Sequence, residues 1–266
     1  MTGNRDMTAG QTGPDARWTL VTGASSGIGA ELARAFAGEG RPLVLTARRS
    51  ERLEALAGEL PVPTVVVPAD LAAPGGAEGL VAAIEARGVV LHTLVNNAGF
   101  GLRGRFADLP ARDQAEMVAV NVAAPTILAR LVLPGLIARG GGGILNVASV
   151  VGYLPGPNMA AYYATKAYLL NLSEALYEEA RPHGVVVTTV CPGATATEFS
   201  QRADVGGAKR FTGNVMSPEA VARAAVAGHL AGRAVVIPGA ANRAAVIAAR
   251  LMPRWLSRKV AARLQG

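Results

Sequence analysis

Trp18-Thr19-Leu20-Val21-Thr22-Gly23-Ala24-Ser25-Ser26-Gly27-Ile28-Gly29 joins a short, mostly apolar run to a turn rich in glycine. The run reads as a buried strand, and residues 30–38 continue as a helix that Gly40 stops. A glycine-rich turn between a strand and a helix is ordinary chain punctuation when it stands alone. In this position it has a second reading. Main-chain N–H groups at a helix N-terminus, with the helix dipole behind them, can hold a pyrophosphate, and glycines let the ligand approach because no Cβ intervenes.

Working outward, apolar strands are predicted at residues 42–46, 64–67, 93–95, 143–148, 185–190 and 234–237, and helices at 50–60, 77–86, 110–138, 160–180 and 218–231. Leu53, Leu56 and Leu60 share one face of the second helix, and Ser217-Pro218 supplies an N-cap followed by a first-turn proline. Strands that are continuous apolar runs, each followed by a helix, describe a parallel sheet covered on both faces. The expected fold is α/β, a doubly wound parallel sheet of the Rossmann type, in a single domain over residues 17–241. Residues 1–16 are expected to be a flexible N-terminus and residues 242–266 a basic amphipathic helical extension. No repeat of fixed period and no break in composition marks a second domain.

Half of the 266 residues are hydrophobic and 17% are charged, which excludes an intrinsically disordered chain. No stretch reaches the roughly 18 uninterrupted apolar residues of a membrane span, so the mean hydropathy of +0.29 reflects burial. The first 16 residues lack the apolar core of a signal peptide. Cys191 is the one cysteine, so no intrachain disulfide can form, and a reducing, cytoplasmic setting is expected. The net charge of +7 raises the question of nucleic acid. Six basic residues and no acidic one fall within residues 242–266, which leaves +1 for the remainder. A nearly neutral body with no nucleic-acid motif argues against a nucleic-acid partner. His92, His183 and His229 are scattered without ligand spacing, so no metal site is expected.

The second strand ends in Thr46-Ala47-Arg48-Arg49. A site that prefers NAD places a carboxylate there for the ribose 2′-hydroxyl. Two guanidiniums suit an anionic 2′-phosphate instead, with Arg48 as its main ligand and Arg49 and Ser25 as helpers; solvated arginines opening a helix are the plainer alternative. Further on, Tyr162-Tyr163-Ala164-Thr165-Lys166 puts Tyr162 and Lys166 four apart on one helix face. A phenol titrates near ~10, and an adjacent ammonium favours its ionised form. Only Lys166, Lys209 and Lys259 among the 26 basic residues are lysines, so a lysine at this spacing points to a need for a compact ammonium. Tyr163 lacks such a partner, because Ala167 stands four residues beyond it.

The turn at residues 22–29, Asn96-Asn97-Ala98-Gly99, Ser149 thirteen residues before Tyr162, Tyr162-X-X-X-Lys166 and Pro192-Gly193 stand in a fixed order. In that order and spacing the chain resembles the compact branch of the short-chain dehydrogenase/reductase family, over residues 17–239. The resemblance implies the strand order 3-2-1-4-5-6-7. It also implies a homodimer or homotetramer formed through the long helix and the helix bearing Tyr162. Tyr162 would be the acid in reduction and the base in oxidation, and Ser149 would hydrogen-bond the substrate oxygen. Lys166 would lower the phenol's pKa and hold the nicotinamide ribose, and Asn121 would hold a water that links Lys166 to solvent. The cofactor would be NADP(H). Gly23, Ser25, Ser26, Gly27, Ile28 and Gly29 would form its phosphate loop, with Arg48 at the 2′-phosphate and Asp70 and Leu71 at the adenine. Asn97, Ala98 and Gly99 would line the adenosine side, and Pro192, Gly193 and Thr197 would position the nicotinamide. Ser26 stands where some NADP-dependent relatives carry a basic residue, so the choice of NADP(H) rests mainly on Arg48.

In that family the segment after Pro192-Gly193 covers the substrate; here it is residues 194–216, with Phe199, Phe211 and Met216 among Gly206, Gly207 and Gly213. An apolar cover, with Tyr153, Leu154 and Phe100 as further wall candidates, suggests a small hydrophobic carbonyl or alcohol as substrate. Arg103, Arg105, Arg202, Lys209 and Arg210 could receive a phosphopantetheine or CoA phosphate, or stay solvated. The expected reaction is interconversion of a carbonyl and a secondary alcohol by hydride transfer. The rival expectations are a 3-oxoacyl or lipid reductase at a membrane surface and an NADP(H)-sensing protein without turnover. In the extension, Leu256, Val260 and Leu264 repeat at four-residue steps beside a basic row of Arg250, Arg254 and Arg258, divided by Pro253. Such a segment suits peripheral contact with an anionic membrane, or packing on a neighbouring subunit or over the same protomer's pocket.

Overall fold

A computed structural model describes residues 17–198 and 215–265, with the main chain only at 264 and 265. Strands β1 (Trp18–Thr22), β2 (Leu43–Thr46), β3 (Thr64–Val66), β4 (Leu91–Asn96), β5 (Gly142–Val147), β6 (Val185–Val190) and β7 (Val235–Val236) make one sheet. All its pairings are parallel and its order is β3-β2-β1-β4-β5-β6-β7, the order the resemblance implies. The helices are α1 (Gly27–Gly38), α2 (Ser50–Glu59), α3 (Gly76–Glu85), α4 (Ala111–Val118), α5 (Ala124–Ala138), α6 (Ala160–Ala180), α7 (Pro218–Leu230), α8 (Ala240–Leu251) and α9 (Arg254–Gln265).

Side chains of a strand point alternately to its two faces, and this sorts the core. Leu20, Leu94, Ile144 and Val187 pack with α3 and α5, whereas Val21, Val95, Leu145 and Val190 pack with α1, α2 and α7. With both faces covered, the strands become the near-continuous apolar runs that mark them in the sequence. α7 begins as expected: Ser217 Oγ accepts a hydrogen bond from the Ala220 N–H at 3.1 Å, with Pro218 in the first turn.

One expectation needs correction. The helix predicted over residues 110–138 is not one α-helix, because a π turn, Ala119–Ala123, joins α4 to α5. Nothing in Ala-Val-Asn-Val-Ala announces that turn; its cause is the tertiary position of Asn121, described below. Taken as one run, Ala111–Ala138 is long and apolar enough to cross a membrane by length and composition. Leu128, Ala129, Val132 and Leu136 of this run are buried under the sheet, as befits a core helix. The segment expected to be a basic extension, residues 242–266, falls on α8 and α9. α8 begins at Ala240, buries Val246 and packs along the 3-10 turn Val150–Tyr153.

In α9, Ser257 and Ala261 form the buried face, and Leu256 and Val260 of the predicted apolar row are half-buried. The side chain of Leu264 lies outside the described residues, as do residues 1–16 and the predicted cover residues Phe199, Arg202, Gly206, Gly207, Lys209, Arg210, Phe211 and Gly213.

Candidate functional site

β1 and β4 are neighbours, so the turns at their C-terminal ends meet where the chain passes from one half of the sheet to the other. Gly23 (φ +65°) and Gly27 (φ +56°) adopt a left-handed conformation, and a Cβ on Gly29 would collide with the Gly23 carbonyl oxygen. Thr22 Oγ1 donates to the Val95 carbonyl (3.1 Å) and accepts from the N–H groups of Asn97 (2.9 Å) and Ala98 (3.0 Å). Asn97 Nδ2 donates to the carbonyls of Thr22 (2.8 Å) and Gly23 (3.2 Å). The Asn97 amide therefore splices the two turns together. No side chain caps α1, and its first turn opens on a cleft of about 930 Å³. The cleft suits an extended anionic ligand, with main-chain donors at one end and room for a second ring system at the other.

Every residue expected to touch a dinucleotide lines this one cleft: Gly23, Ser25, Ser26, Gly27, Ile28, Gly29, Arg48, Asp70, Leu71, Asn97, Ala98, Gly99, Pro192, Gly193 and Thr197. Ser149, Tyr162 and Lys166 line it as well, and Asn121 stands behind the wall. At the end of β2, Arg48 Nη1 lies 3.3 Å from Glu116 Oε1. Arg49 Nη2 donates to Ser25 Oγ (3.1 Å) and Ser26 Oγ (2.9 Å), while its Nη1 meets Glu198 Oε2 at 3.0 Å. Arg52 Nη1 takes the other Glu198 oxygen at 2.6 Å. These two guanidiniums hold the Glu198 carboxyl far below its usual range, at about 2.

At the other end, Ser149 closes β5 in an extended conformation; its Oγ donates to the Pro192 carbonyl at 3.2 Å and accepts from the Val151 N–H at 3.3 Å. Tyr162, on the first turn of α6, shares a hydrogen bond with the Ser149 side chain. Lys166 lies one turn on, with Nζ 5.9 Å from the Tyr162 ring centroid, and donates to the Val147 carbonyl at 2.8 Å. Asn121 Oδ1 accepts from the Phe100 N–H (3.1 Å), and its Nδ2 donates to the Phe100 carbonyl (2.9 Å) and Thr165 Oγ1 (3.1 Å). The π turn presents Asn121 to all three partners, and so joins the loop after β4 to the helix that carries Tyr162 and Lys166.

Burial governs both titrating groups. It pushes the Tyr162 phenol above its ordinary value, with Tyr163 adding to the rise and the Ser149 hydrogen bond opposing it. It lowers Lys166 to about 8. Desolvation is the largest influence on the phenol, and the Lys166 ammonium is engaged by the Val147 carbonyl at 2.8 Å.

A family model described as short chain dehydrogenase matches residues 17–205. The chain belongs to the short-chain dehydrogenase family. Among its relatives, the very-long-chain 3-oxoacyl-CoA reductase of Anas platyrhynchos is 35% identical over 69% of this chain and 61% of that protein. The sulfoacetaldehyde reductase of Chromohalobacter salexigens is 39% identical over 68% of this chain and 73% of its own length. The solved structure of a short-chain dehydrogenase from Sphingobium yanoikuyae in complex with NADPH superimposes with a TM-score of 0.77. It is 38% identical, over 88% of this chain and 93% of that one.

Within this short-chain dehydrogenase, the substrate side is where sequence reasoning erred most. Phe100 lines the cleft as expected, but Tyr153 and Leu154 do not. Tyr153 packs against Cys191 and Leu170 beneath Arg250, whose guanidinium lies 5.5 Å from the ring centroid, and Leu154 packs with Met159 and Tyr163. Val151, Met159, Tyr163 and Val215 supply apolar wall that was not anticipated, and Glu198 was missed altogether. No linear spacing connects residue 198 to residues 49 and 52. The base of the substrate segment is pinned: the Ala196 N–H donates to the Met216 carbonyl (3.1 Å) and the Met216 N–H to the Ala194 carbonyl (3.0 Å). Asn242, at the start of α8, fills the space a Cβ on Gly193 would need. Among the described residues no group of acidic, histidine and cysteine side chains could hold a metal ion.

Proposed function

We propose that this short-chain dehydrogenase is an NADP(H)-dependent oxidoreductase that interconverts a hydrophobic carbonyl compound and its secondary alcohol, with Tyr162 as the proton donor and acceptor. One observation carries the reading. The hydrogen-bonded Ser149 and Tyr162 hydroxyls share a cleft wall with the glycine cradle, and the Lys166 ammonium is one helical turn away. The residues fit the dinucleotide: neighbouring backbone leaves no space for a Cβ at Gly23 or Gly29, Gly27 is held at φ +56°, and the first-turn N–H groups of α1 are left without a side-chain cap, so they could receive an anion. Arg48 and Arg49, with no carboxylate at the end of β2, support the 2′-phosphorylated form, as does the relative solved with NADPH. When bound, the nicotinamide supplies or accepts the hydride.

The chain's own residues manage the oxygen. Tyr162 can donate to a substrate oxygen, and Ser149 can do so by turning its one hydroxyl proton from the Pro192 carbonyl; both donations favour developing negative charge on that oxygen. Because burial raises the phenol, Tyr162 is protonated at neutral pH and ready to donate during reduction of a carbonyl. Donation leaves a phenolate on the helix face that also bears Lys166, still cationic at pH 7 with a pKa of about 8. In the oxidative direction the same atoms act in reverse, with the phenolate accepting the alcohol proton.

Two relatives are named for carbonyl substrates of very different size, so the substrate class rests on the cleft itself. Phe100, Val151, Met159, Tyr163 and Val215 give it an apolar wall. The test is NADPH oxidation against ketones of increasing chain length, with wild-type protein and Tyr162→Phe. The variant should bind NADPH unchanged and turn over about 10²–10⁴-fold more slowly. Equal turnover by the variant, or preference for NADH, would overturn the assignment.

A further inference from the structure

The C-terminal helices hold more apolar surface and more charge than their packing on the body uses. α8 turns Val246 inward, whereas Ile247 and Leu251, one turn apart, remain 59% and 80% exposed. Past Pro253, Trp255 opens α9 at 56% exposure, with Lys259 Nζ 5.5 Å from its ring centroid. Three large apolar side chains, two on α8 and one on the first turn of α9, thus stand on the outside of the segment. They are embedded in residues 242–266, where Arg243, Arg250, Arg254, Arg258, Lys259 and Arg263 occur without one acidic residue.

We infer that this surface docks on an anionic lipid bilayer, with Ile247, Leu251 and Trp255 entering the interfacial region and the arginines meeting headgroup phosphates. Charge selects the occupant. A second copy brought up about a twofold axis would oppose its own positive surface, whereas anionic headgroups complement it. The composition is also that of an interfacial element: basic residues, a tryptophan with an apolar body and a polar edge, and apolar side chains too few to span. Position gives the contact a use. α8 packs on Val150–Tyr153, next to the cleft wall, and Asn242 seats on Gly193, so a docked protein would hold the mouth of its cleft beside the bilayer. On the reading above, the substrate class would then be a membrane-partitioned carbonyl or alcohol.

The test uses the full chain and sedimentation with vesicles of phosphatidylcholine alone or mixed with phosphatidylglycerol. Binding is measured without turnover, so its failure leaves the oxidoreductase assignment intact. The expected result is binding to the mixed vesicles at low salt, weakening as salt rises, and little binding to phosphatidylcholine. Trp18 is buried at 5% exposure, so a blue shift and quenching by brominated acyl chains report Trp255 and vanish in Trp255→Phe. Arg254→Gln with Arg258→Gln should lower partitioning roughly 30-fold, and Leu251→Asp about tenfold. Absence of sedimentation at low salt overturns the inference, and so does binding that survives Leu251→Asp with Trp255 emission unshifted. A doubled mass in solution that Leu251→Asp reverses, without vesicle binding, would make the surface a contact between copies and equally overturn it.

Discussion

At the nucleotide end of the cleft the contacts are made to the main chain. Asn97 bonds to the carbonyls of Thr22 and Gly23, Thr22 Oγ1 gathers two N–H groups, and the Gly29 Cα abuts the Gly23 carbonyl. At the substrate end the contacts belong to side chains: Phe100, Met159 and Tyr163 on the wall, and Asn242 pressed on Gly193. The difference matters because main-chain packing at van der Waals contact admits glycine alone, whereas an apolar wall accepts many side chains of similar volume. One end is constrained in residue identity and the other in little more than shape.

Three experiments sharpen that contrast. The largest effect is expected from Gly29→Ala, which drives a methyl group into the Gly23 carbonyl and should cut nucleotide affinity by about 100-fold, near 3 kcal/mol, in a calorimetric titration. An unchanged Kd would show that the turn yields more easily than its geometry indicates.

A comparable effect, on stability rather than binding, comes from the scaffold beneath the same end. His229 lies under α1 with its ring edge-on to Phe36, and burial lowers its pKa to about 4. Thr188 Oγ1 donates to the Arg233 carbonyl at 2.8 Å and so accepts from His229 Nδ1 at 3.0 Å, which fixes the neutral tautomer. The unfolded chain binds this proton near pH ~6.5 and the folded one only near 4, so stability falls as pH drops through that window. The loss reaches up to about 3 kcal/mol in the unfolding free energy obtained from urea denaturation and should shrink in His229→Gln.

The smallest effect concerns the ion cluster that bridges the two ends. Glu198→Gln removes the carboxylate that Arg49 and Arg52 share and leaves those guanidiniums to a 2′-phosphate. NADPH affinity should rise by a few-fold, about 1 kcal/mol or less for an exposed pair, with NADH affinity unchanged. An equal gain for both nucleotides would place the effect elsewhere than at the 2′-position.

The same contrast explains what could be read in advance. The strands were legible because helices cover both faces and make Leu43–Thr46 and Val185–Val190 nearly unbroken apolar runs. The glycine turn and the Tyr162–Lys166 spacing were legible because local geometry alone places those residues. Other features depend on contacts distant in sequence. The π turn exists for hydrogen bonds to Phe100 and Thr165, and Glu198 meets arginines about 150 residues earlier. The raised phenol of Tyr162 reflects burial, which a helical wheel does not report. Tyr153 is a wall candidate in the sequence, yet it packs against Cys191 with Arg250 of α8 over its ring.

The π turn at Ala119–Ala123 also makes chain length at this point a property of the site. Each residue of an α-helix advances the side chains by about 100°. A π turn takes more residues per revolution than an α-helix, so deleting one alanine here would restore a regular helix with α4 and α5 nearly in their present phase. The loss would fall on Asn121, which the tighter turn would carry away from Phe100 and Thr165. Point substitutions of the alanines keep the extra residue, and a deletion does not.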